Sequence, residues 1–221
     1  MTYYYDSRFL KYINKNDIKI IIEAGARYGD ETIKLSEIFT FSKIYSFECN
    51  PKTVNICKNK LLNRNNVFFY DYGLGDKDEF LPFYSYLQNN DGASSFLKRI
   101  DYNNTQEETG IIKIIKLVDF VKKNNIEFID LLCMDVQGYE LNILKGCEGF
   151  IKNIKFLIME EPKKVIPNNL LPENIHSSYI NAPTSKEISE FMKLNNFIEI
   201  ERLDENMIED NVMYKNLLFT D

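Results

Sequence analysis

Two hydrophobic rhythms alternate along the chain. Lys19-Ile20-Ile21-Ile22-Glu23 is a short β-branched run of the kind that forms a buried strand, and it breaks at Ala24-Gly25-Ala26-Arg27-Tyr28-Gly29-Asp30. Ile33, Leu35, Ile38 and Phe39 then recur at helical spacing, so strand, glycine turn and helix follow in direct succession. The unit repeats. Lys43 to Glu48 reads as a strand, Pro51 as a helix start, and Val54, Ile56, Cys57 and Leu61 as the buried face of a helix reaching about Asn63, before a third strand from Val67 to Tyr70. Strands alternating with helices through short connections predict an α/β domain with a mostly parallel sheet covered on both faces.

The middle of the chain departs from this rhythm. Phe80 to Leu87 is extended, Gln88 to Gly92 a turn, Ala93-Ser94-Ser95-Phe96 leads into a polar stretch to Gly110, and Ile111 to Leu117 alternates weakly as a strand. A β-rich insertion over about 80–116, lying over the sheet edge, is expected. The first rhythm then resumes with a helix from Val118 to Asn124 and the continuous buried strand Ile129 to Met134, which stops at Asp135. A helix from Glu140 to Lys145 ends at Gly146, and a strand from Ile154 to Met159 runs into Glu160-Glu161-Pro162. Four of the six prolines fall between Pro162 and Pro183 and no period runs through 163–183, which predicts a lid-like loop. Ser185, read as a cap, opens a helix to Leu194; Phe197 to Leu203 and Val212 to Phe219 are the last strands. With no internal repeat and no linker, residues 1–221 read as a single domain.

Composition narrows the function classes. The chain is 44% hydrophobic with 14 Tyr and 16 Phe, enough to build a core, and its 33 acidic against 27 basic residues leave a net charge of -6. That balance offers no general field for a phosphate backbone and argues against nucleic acid as a partner. Cys49, Cys57, Cys133 and Cys147 match no metal or redox spacing and read as free thiols in a reduced compartment. Met1 to Leu10 carries Asp6 and Arg8 among tyrosines without an apolar leader core, and no run approaches the ~20 apolar residues of a membrane span. A cytoplasmic location follows as the expectation, with a homo-oligomer left open.

In open α/β sheets ligands bind beyond the carboxyl ends of the strands. Here those ends are acidic: Glu23, Glu48-Cys49-Asn50, Asp71-Tyr72-Gly73, Asp135-Val136-Gln137-Gly138 and Glu160-Glu161. The glycine turn distinguishes between nucleotide ligands. Arg27 stands where a dinucleotide turn wants a glycine, and Asp30 at the helix start would repel a phosphate, so an NAD-dependent oxidoreductase is disfavoured. S-adenosylmethionine (SAM) has no phosphate, and its ribose needs a carboxylate at the end of the next strand. Glu48 lies 48 − 29 = 19 positions beyond Gly29, close to the ~20 expected of a ribose-binding acid. The alternative is that Gly25 and Gly29 only permit a tight turn and Glu48 is solvated.

The segments Ile22 to Asp30, Tyr45 to Pro51 and above all Ile129 to Gly146 resemble the FkbM-type SAM-dependent methyltransferases. The resemblance runs from about Lys19 to Glu161, and more loosely to the C-terminal strands. It implies a Rossmann-like class I methyltransferase fold, a seven-stranded sheet ending in a C-terminal antiparallel hairpin. It also implies O-methylation, often of sugars in surface glycans or secondary metabolites. Two positions depart from the family pattern: Arg27 replaces Asn or a small residue, and Gln137 replaces an acid.

Strand ends and resemblance together give the candidate residues. Those for the cofactor are Glu23, Gly25, Ala26, Arg27, Gly29, Glu48, Asn50, Asp71, Tyr72, Gly73, Asp135 and Val136, with Asp71 and Tyr72 flanking the adenine. Transfer to a hydroxyl needs alignment and removal of a proton. Asp135 is the first candidate base, against a structural role capping the turn into the next helix. His176, the only histidine, is another, as is one of Glu160 and Glu161. Asp135 with Glu160 or Glu161 would alternatively hold Mg2+. Ser94, Ser95, Gln137 and Tyr139 are candidates for the acceptor, a small molecule or glycan whose sugar is free, nucleotide-linked or part of a larger glycan. A fold that keeps the site and has lost catalysis is the competing reading, for which Gln137 is the hint.

Overall fold

The structure, a computed structural model, describes residues 3–86, 91–100, 106–164 and 179–219. Among the described residues ten strands form two sheets: β1 (Ile20–Ala24), β2 (Lys43–Phe47), β3 (Val67–Tyr70), β4 (Gly73–Gly75), β5 (Glu79–Tyr86), β6 (Gln106–Lys116), β7 (Ile129–Met134), β8 (Ile154–Pro162), β9 (Phe197–Asp204) and β10 (Glu209–Asn216). The helices are α1 (Ser7–Leu10), α2 (Asp30–Ile38), α3 (Val54–Leu61), α4 (Leu117–Lys123), α5 (Glu140–Lys145) and α6 (Ser185–Leu194). The large sheet runs β3-β2-β1-β7-β8-β10-β9. Its first five strands pair in parallel, and β10 pairs antiparallel with both β8 and β9. This is the mostly parallel seven-stranded α/β sheet with a C-terminal antiparallel hairpin that the sequence resemblance implies.

Pleating divides the central strands between two cores. Ile21, Cys133 and Ile158 face one side, against Phe9, Leu35 and Phe39. Ile22, Leu132 and Leu157 face the other, against Phe120, Ile143, Leu144 and Ile188. Each such side chain, fully buried, contributes about 1.5–3 kcal/mol, which explains why these strands read as predominantly apolar runs.

Residues between β3 and α4 form the second sheet, β4-β6-β5, with β4 parallel and β5 antiparallel to β6. β4 was invisible in the hydrophobic pattern because it is only Gly73-Leu74-Gly75. It docks on the end of α5, where a Cβ on Gly146 would stand 1.9 Å from the Gly75 carbonyl oxygen. Phe96 wedges this sheet to the main body, its ring 5.0 Å from Phe83 and 5.3 Å from Tyr139. One local expectation is corrected. Thr184, not Ser185, caps α6, accepting from the Glu187 backbone while the Glu187 carboxylate accepts from the Thr184 amide, so Ser185 is the first helical residue. Among the described residues no helix is long and apolar enough to cross a membrane. The four cysteines are free, and all but Cys49 are buried.

Candidate active site

At the carboxyl ends of β1, β2, β7 and β8 the chain encloses a cavity of about 550 Å³. Its first wall follows from local backbone geometry. Gly25 has φ +92°, and a Cβ there would stand 1.9 Å from the Asp135 carbonyl oxygen, so the turn after β1 and the end of β7 approach as only glycine allows. The Gly25 and Ala26 amides both donate to the Phe47 carbonyl at 3.0 Å. Arg27 follows in the left-handed region, φ 50°, and its amide donates to Glu48 Oε2 at 2.5 Å. Glu48 Oε1 accepts from the Asn50 amide at 2.7 Å. The carboxylate is therefore fixed at the strand end by two backbone donors, and burial pushes its pKa up to about 7.

Arg27 does more than fill its position. Its guanidinium donates to Asp91 Oδ1 at 2.9 and 2.6 Å, and the Tyr28 hydroxyl donates to the other oxygen of the same carboxylate. This clasp holds the turn Asp91–Ala93, part of the insertion, against the glycine turn. Tyr72, Gly73 and Leu74 continue that wall.

The opposite wall is built by side chains from distant parts of the chain. Gln137, itself at φ 56°, donates through Nε2 to Asp135 Oδ1 at 2.6 Å and to Glu160 Oε2 at 2.7 Å. Its Oε1 accepts from the Tyr179 hydroxyl at 2.6 Å. Asp135 lines the cavity, and burial raises its pKa against the lowering effect of the Gln137 bond. Burial, reinforced by the Asp135 charge, pushes Glu160 well above the usual carboxylate range. Glu140, at the start of α5, accepts from the Val136 amide at 2.9 Å and steadies the same loop. Glu205, Asn206, Glu209 and Asn211, from the β9–β10 hairpin, complete this side.

Acidic side chains dominate the lining: Asp30, Glu31, Glu48 and Asp91 with Asp135, Glu160, Glu205 and Glu209 face it, against the guanidiniums of Arg27 and Arg99. Burial raises the pKa of Glu31, Glu48, Asp135, Glu160 and Glu209 among them, so several of these acids are poised to gain charge when a cationic ligand without phosphate enters.

Of the expected residues, Gly25, Ala26, Arg27, Glu48, Asn50, Tyr72, Gly73, Ser94, Asp135, Val136, Gln137, Tyr139 and Glu160 line the cavity. Five others do not. Glu23 points under the turn, buried, where Thr32 and Ser46 hydroxyls donate to it. Gly29 caps α2 and packs on Cys57 and Leu61. Asp71 is exposed outside the lining, so the neighbouring Tyr72 supplies that wall. Ser95 turns to the Gln137 carbonyl at 2.8 Å and braces the loop from behind. Glu161 faces the other side of β8, as pleating requires of a neighbour of Glu160, and takes the Tyr214 hydroxyl at 2.5 Å and Arg202 at 3.0 Å. His176 and most of 163–183 lie outside the described residues. The Mg2+ expectation finds no fitting donor set: a hydrogen-bond donor, the Gln137 amide, stands between the two carboxylates, and no three His, Cys, Asp or Glu converge among the described residues. Sequence reasoning missed Tyr4, Asp91, Arg99, Tyr179 and Glu205, whose positions outside the helices and long strands carry no period to mark them, and Glu209, the first residue of β10.

Comparison with known proteins follows this geometry. A sequence model of the methyltransferase FkbM domain matches residues 23–199. Among curated proteins, "Methyltransferase 1" of Beauveria bassiana is 27% identical over 148 residues, 60% of this chain and 59% of that protein. The 2-O-methyltransferase NoeI of Sinorhizobium fredii is 20% identical over 165 residues, 69% of this chain and 67% of that protein. The chain thus spans about three fifths to two thirds of the lengths of these relatives. Aeropyrum pernix fibrillarin, solved with natively bound SAM, superposes with a TM-score of 0.51 at 10% identity over 89% of this chain and 66% of its own. StiE O-MT residues 961–1257 give a TM-score of 0.53 at 11% identity over 94% and 71%. At such identities the structural likeness is one of fold.

Proposed function

The chain belongs to the FkbM methyltransferase family, and on that premise we propose that it is a SAM-dependent O-methyltransferase whose acceptor is the hydroxyl of a sugar. One observation carries the reading: a single cavity joins a backbone-fixed carboxylate, Glu48, to a paired carboxylate site, Asp135 and Glu160. The first has the chemistry of a ribose acceptor and the second that of a proton acceptor. The 2-O-methyltransferase among the curated relatives favours oxygen as the accepting atom.

The donor set fits the cofactor. Glu48 would accept the ribose hydroxyls, Gly25 gives close backbone approach, Tyr72 offers a ring or backbone wall for the base, and the acidic lining suits a sulfonium. SAM supplies an activated methyl group with a good leaving group. The protein's remaining tasks are to position the acceptor and to take its proton. Burial raises Asp135 toward the range a general base needs, while the Gln137 amide donates to Asp135 and to Glu160 and holds the two carboxylates in place. The insertion, held by the Arg27–Asp91 clasp, covers the cavity and limits water.

Gln137 favours a second reading, a binding protein without turnover, because its amide occupies both carboxylates at once. Calorimetry with SAM, S-adenosylhomocysteine and NAD, followed by turnover on a panel of sugars, tests both. Binding of NAD in place of SAM would overturn the proposal. SAM binding without methyl transfer to any sugar would favour the second reading.

A further inference from the structure

The strand order sets the direction in which a cofactor would lie. β3, β2, β1 and β7 follow one another across the large sheet. Tyr72, the wall for the base, comes after β3, Glu48, the ribose acceptor, after β2, and Asp135 after β7. A molecule whose base and ribose take the first two places runs its amino-acid end past the glycine turn, toward β7 and the start of α2. Glu31 lines the cavity there, in the first turn of α2.

Residues 3–13 close this corner. The rings of Tyr3 and Tyr5 stack at 5.0 Å, and Tyr4 between them turns inward, 3% exposed, to line the cavity. The Tyr4 amide donates to Glu31 Oε1 at 3.0 Å, and further on Phe9 and Ile13 share a core with Leu35 and Phe39. The segment is thus pinned to α2 at both of its ends.

The Tyr4 hydroxyl is the anomaly of this corner. It is buried, and among the described residues it has no hydrogen-bond partner. Asp135 bears on it electrostatically before Glu31, Cys133 and Glu23, which places it on the β1–β7 side of the turn. A buried hydroxyl left unpaired costs free energy that a phenylalanine ring would not. The other buried side-chain atom in that condition, Glu23 Oε1, belongs to a residue outside the cavity lining, so Tyr4 is the one that a ligand in the cavity can meet.

We infer that Tyr4 binds the cofactor, its hydroxyl hydrogen-bonding the charged amino-acid end of SAM. The inference rests on the methyltransferase reading above and adds to the site a residue that precedes β1. It accounts for a polar atom that the ligand-free protein leaves uncompensated, because the energy withheld from the fold is returned when the ligand arrives.

Calorimetry with two ligands tests it: S-adenosylhomocysteine, which carries the amino-acid end, and 5′-methylthioadenosine, which keeps the base, ribose and sulfur without it. The wild type is titrated first. If S-adenosylhomocysteine fails to bind, the methyltransferase reading itself falls and takes the inference with it. Where it binds, Tyr4→Phe should weaken it about tenfold or more, the scale of a hydrogen bond to a charged group, and leave 5′-methylthioadenosine within about twofold. Loss of an unpaired hydroxyl should also leave the thermal midpoint of the ligand-free protein unchanged or higher, the reverse of what a hydroxyl serving the fold would do. S-adenosylhomocysteine affinity unchanged in a folded Tyr4→Phe variant would overturn the proposal, leaving water alone to meet the hydroxyl. So would an equal loss for both ligands, or a loss accompanied by a lower ligand-free midpoint.

Discussion

The two walls of the cavity are built by different means. On the β1–β2 side Glu48 is held by the amides of Arg27 and Asn50, and the turn that carries them hangs from the Phe47 carbonyl. The two donors that fix Glu48 there are backbone amides of the turns that follow β1 and β2. On the β7–β8 side Asp135 and Glu160 are joined by one side-chain amide, that amide is oriented by the Tyr179 hydroxyl, and the hairpin residues arrive from more than forty positions further along the chain. A wall of backbone donors tolerates change in its side chains and serves a ligand that stays the same. A wall of side chains is altered by single substitutions, which is where specificity for an acceptor can diverge while the cofactor site is kept.

The comparison breaks most visibly at Asp135. Asp135→Asn keeps shape and the bond to Gln137 while removing the proton acceptor, so turnover should fall by ~10²–10⁴-fold with SAM affinity nearly unchanged. Steady-state rates and calorimetry on the same preparation check the split. Because a donor stands between the carboxylates, EDTA should leave the wild-type rate unaltered. Loss of activity restored by Mg2+ would reopen the metal reading, and an active Asp135→Asn enzyme would move the base elsewhere.

The same contrast explains what the sequence made legible. Ile20 to Ala24 and Ile129 to Met134 announce themselves because strands buried on both faces are apolar at all but one position each, Glu23 and Asp130, and Glu48 is found because its distance from the glycine turn follows from the length of one βαβ unit. Local geometry writes itself into local spacing. The side-chain wall does not. Glu209 carries no such mark, because its pairing with Pro162 depends on β10 inserting between β8 and β9, a topological fact with no local signature. The reading of Glu160 and Glu161 held only as far as pleating allows: one faces the cavity, and the pattern could not say which. Tyr4 sits in a run of three tyrosines where nothing singles out the middle ring.

Gly25→Ala attacks the contact where the two walls meet. A Cβ 1.9 Å from the Asp135 carbonyl, at φ +92°, cannot be absorbed by a side-chain shift, so stability should drop by roughly 3 kcal/mol or more. Denaturant unfolding reads this directly, and a loss below about 1 kcal/mol would show the turn to be less confined than described. Glu48→Ala acts on one wall alone. It should weaken SAM by ~1.5–3 kcal/mol, the scale of hydrogen bonds to a charged group, while the fold survives. Unchanged affinity in a folded variant would remove Glu48 from the site.

The finest test compares the two carboxylates that brace loops through backbone amides, Glu48 on one wall and Glu140 on the other. Burial pushes them up to about 7 and about 8. An acid whose folded pKa is raised holds a proton that the unfolded chain has released, so each lowers stability as pH climbs from the ordinary carboxylate range through its folded value. Glu140→Gln retains an oxygen for the Val136 amide, and should therefore change stability little at pH 5 and raise it at pH 8, flattening the fall by at most ~1.4 kcal/mol per pH unit in that window. Glu48→Gln should do the same in the ligand-free protein. With S-adenosylhomocysteine bound the two part ways: ribose hydroxyls donate to the ionised form of Glu48 and cancel its contribution to the slope, whereas Glu140 touches no ligand and its contribution persists. Thermal midpoints of the wild type and both variants, taken from pH 5 to 8 with and without S-adenosylhomocysteine, resolve the difference. Equal response of the two variants to the ligand would place Glu48 and Glu140 in the same role and erase the distinction between the walls.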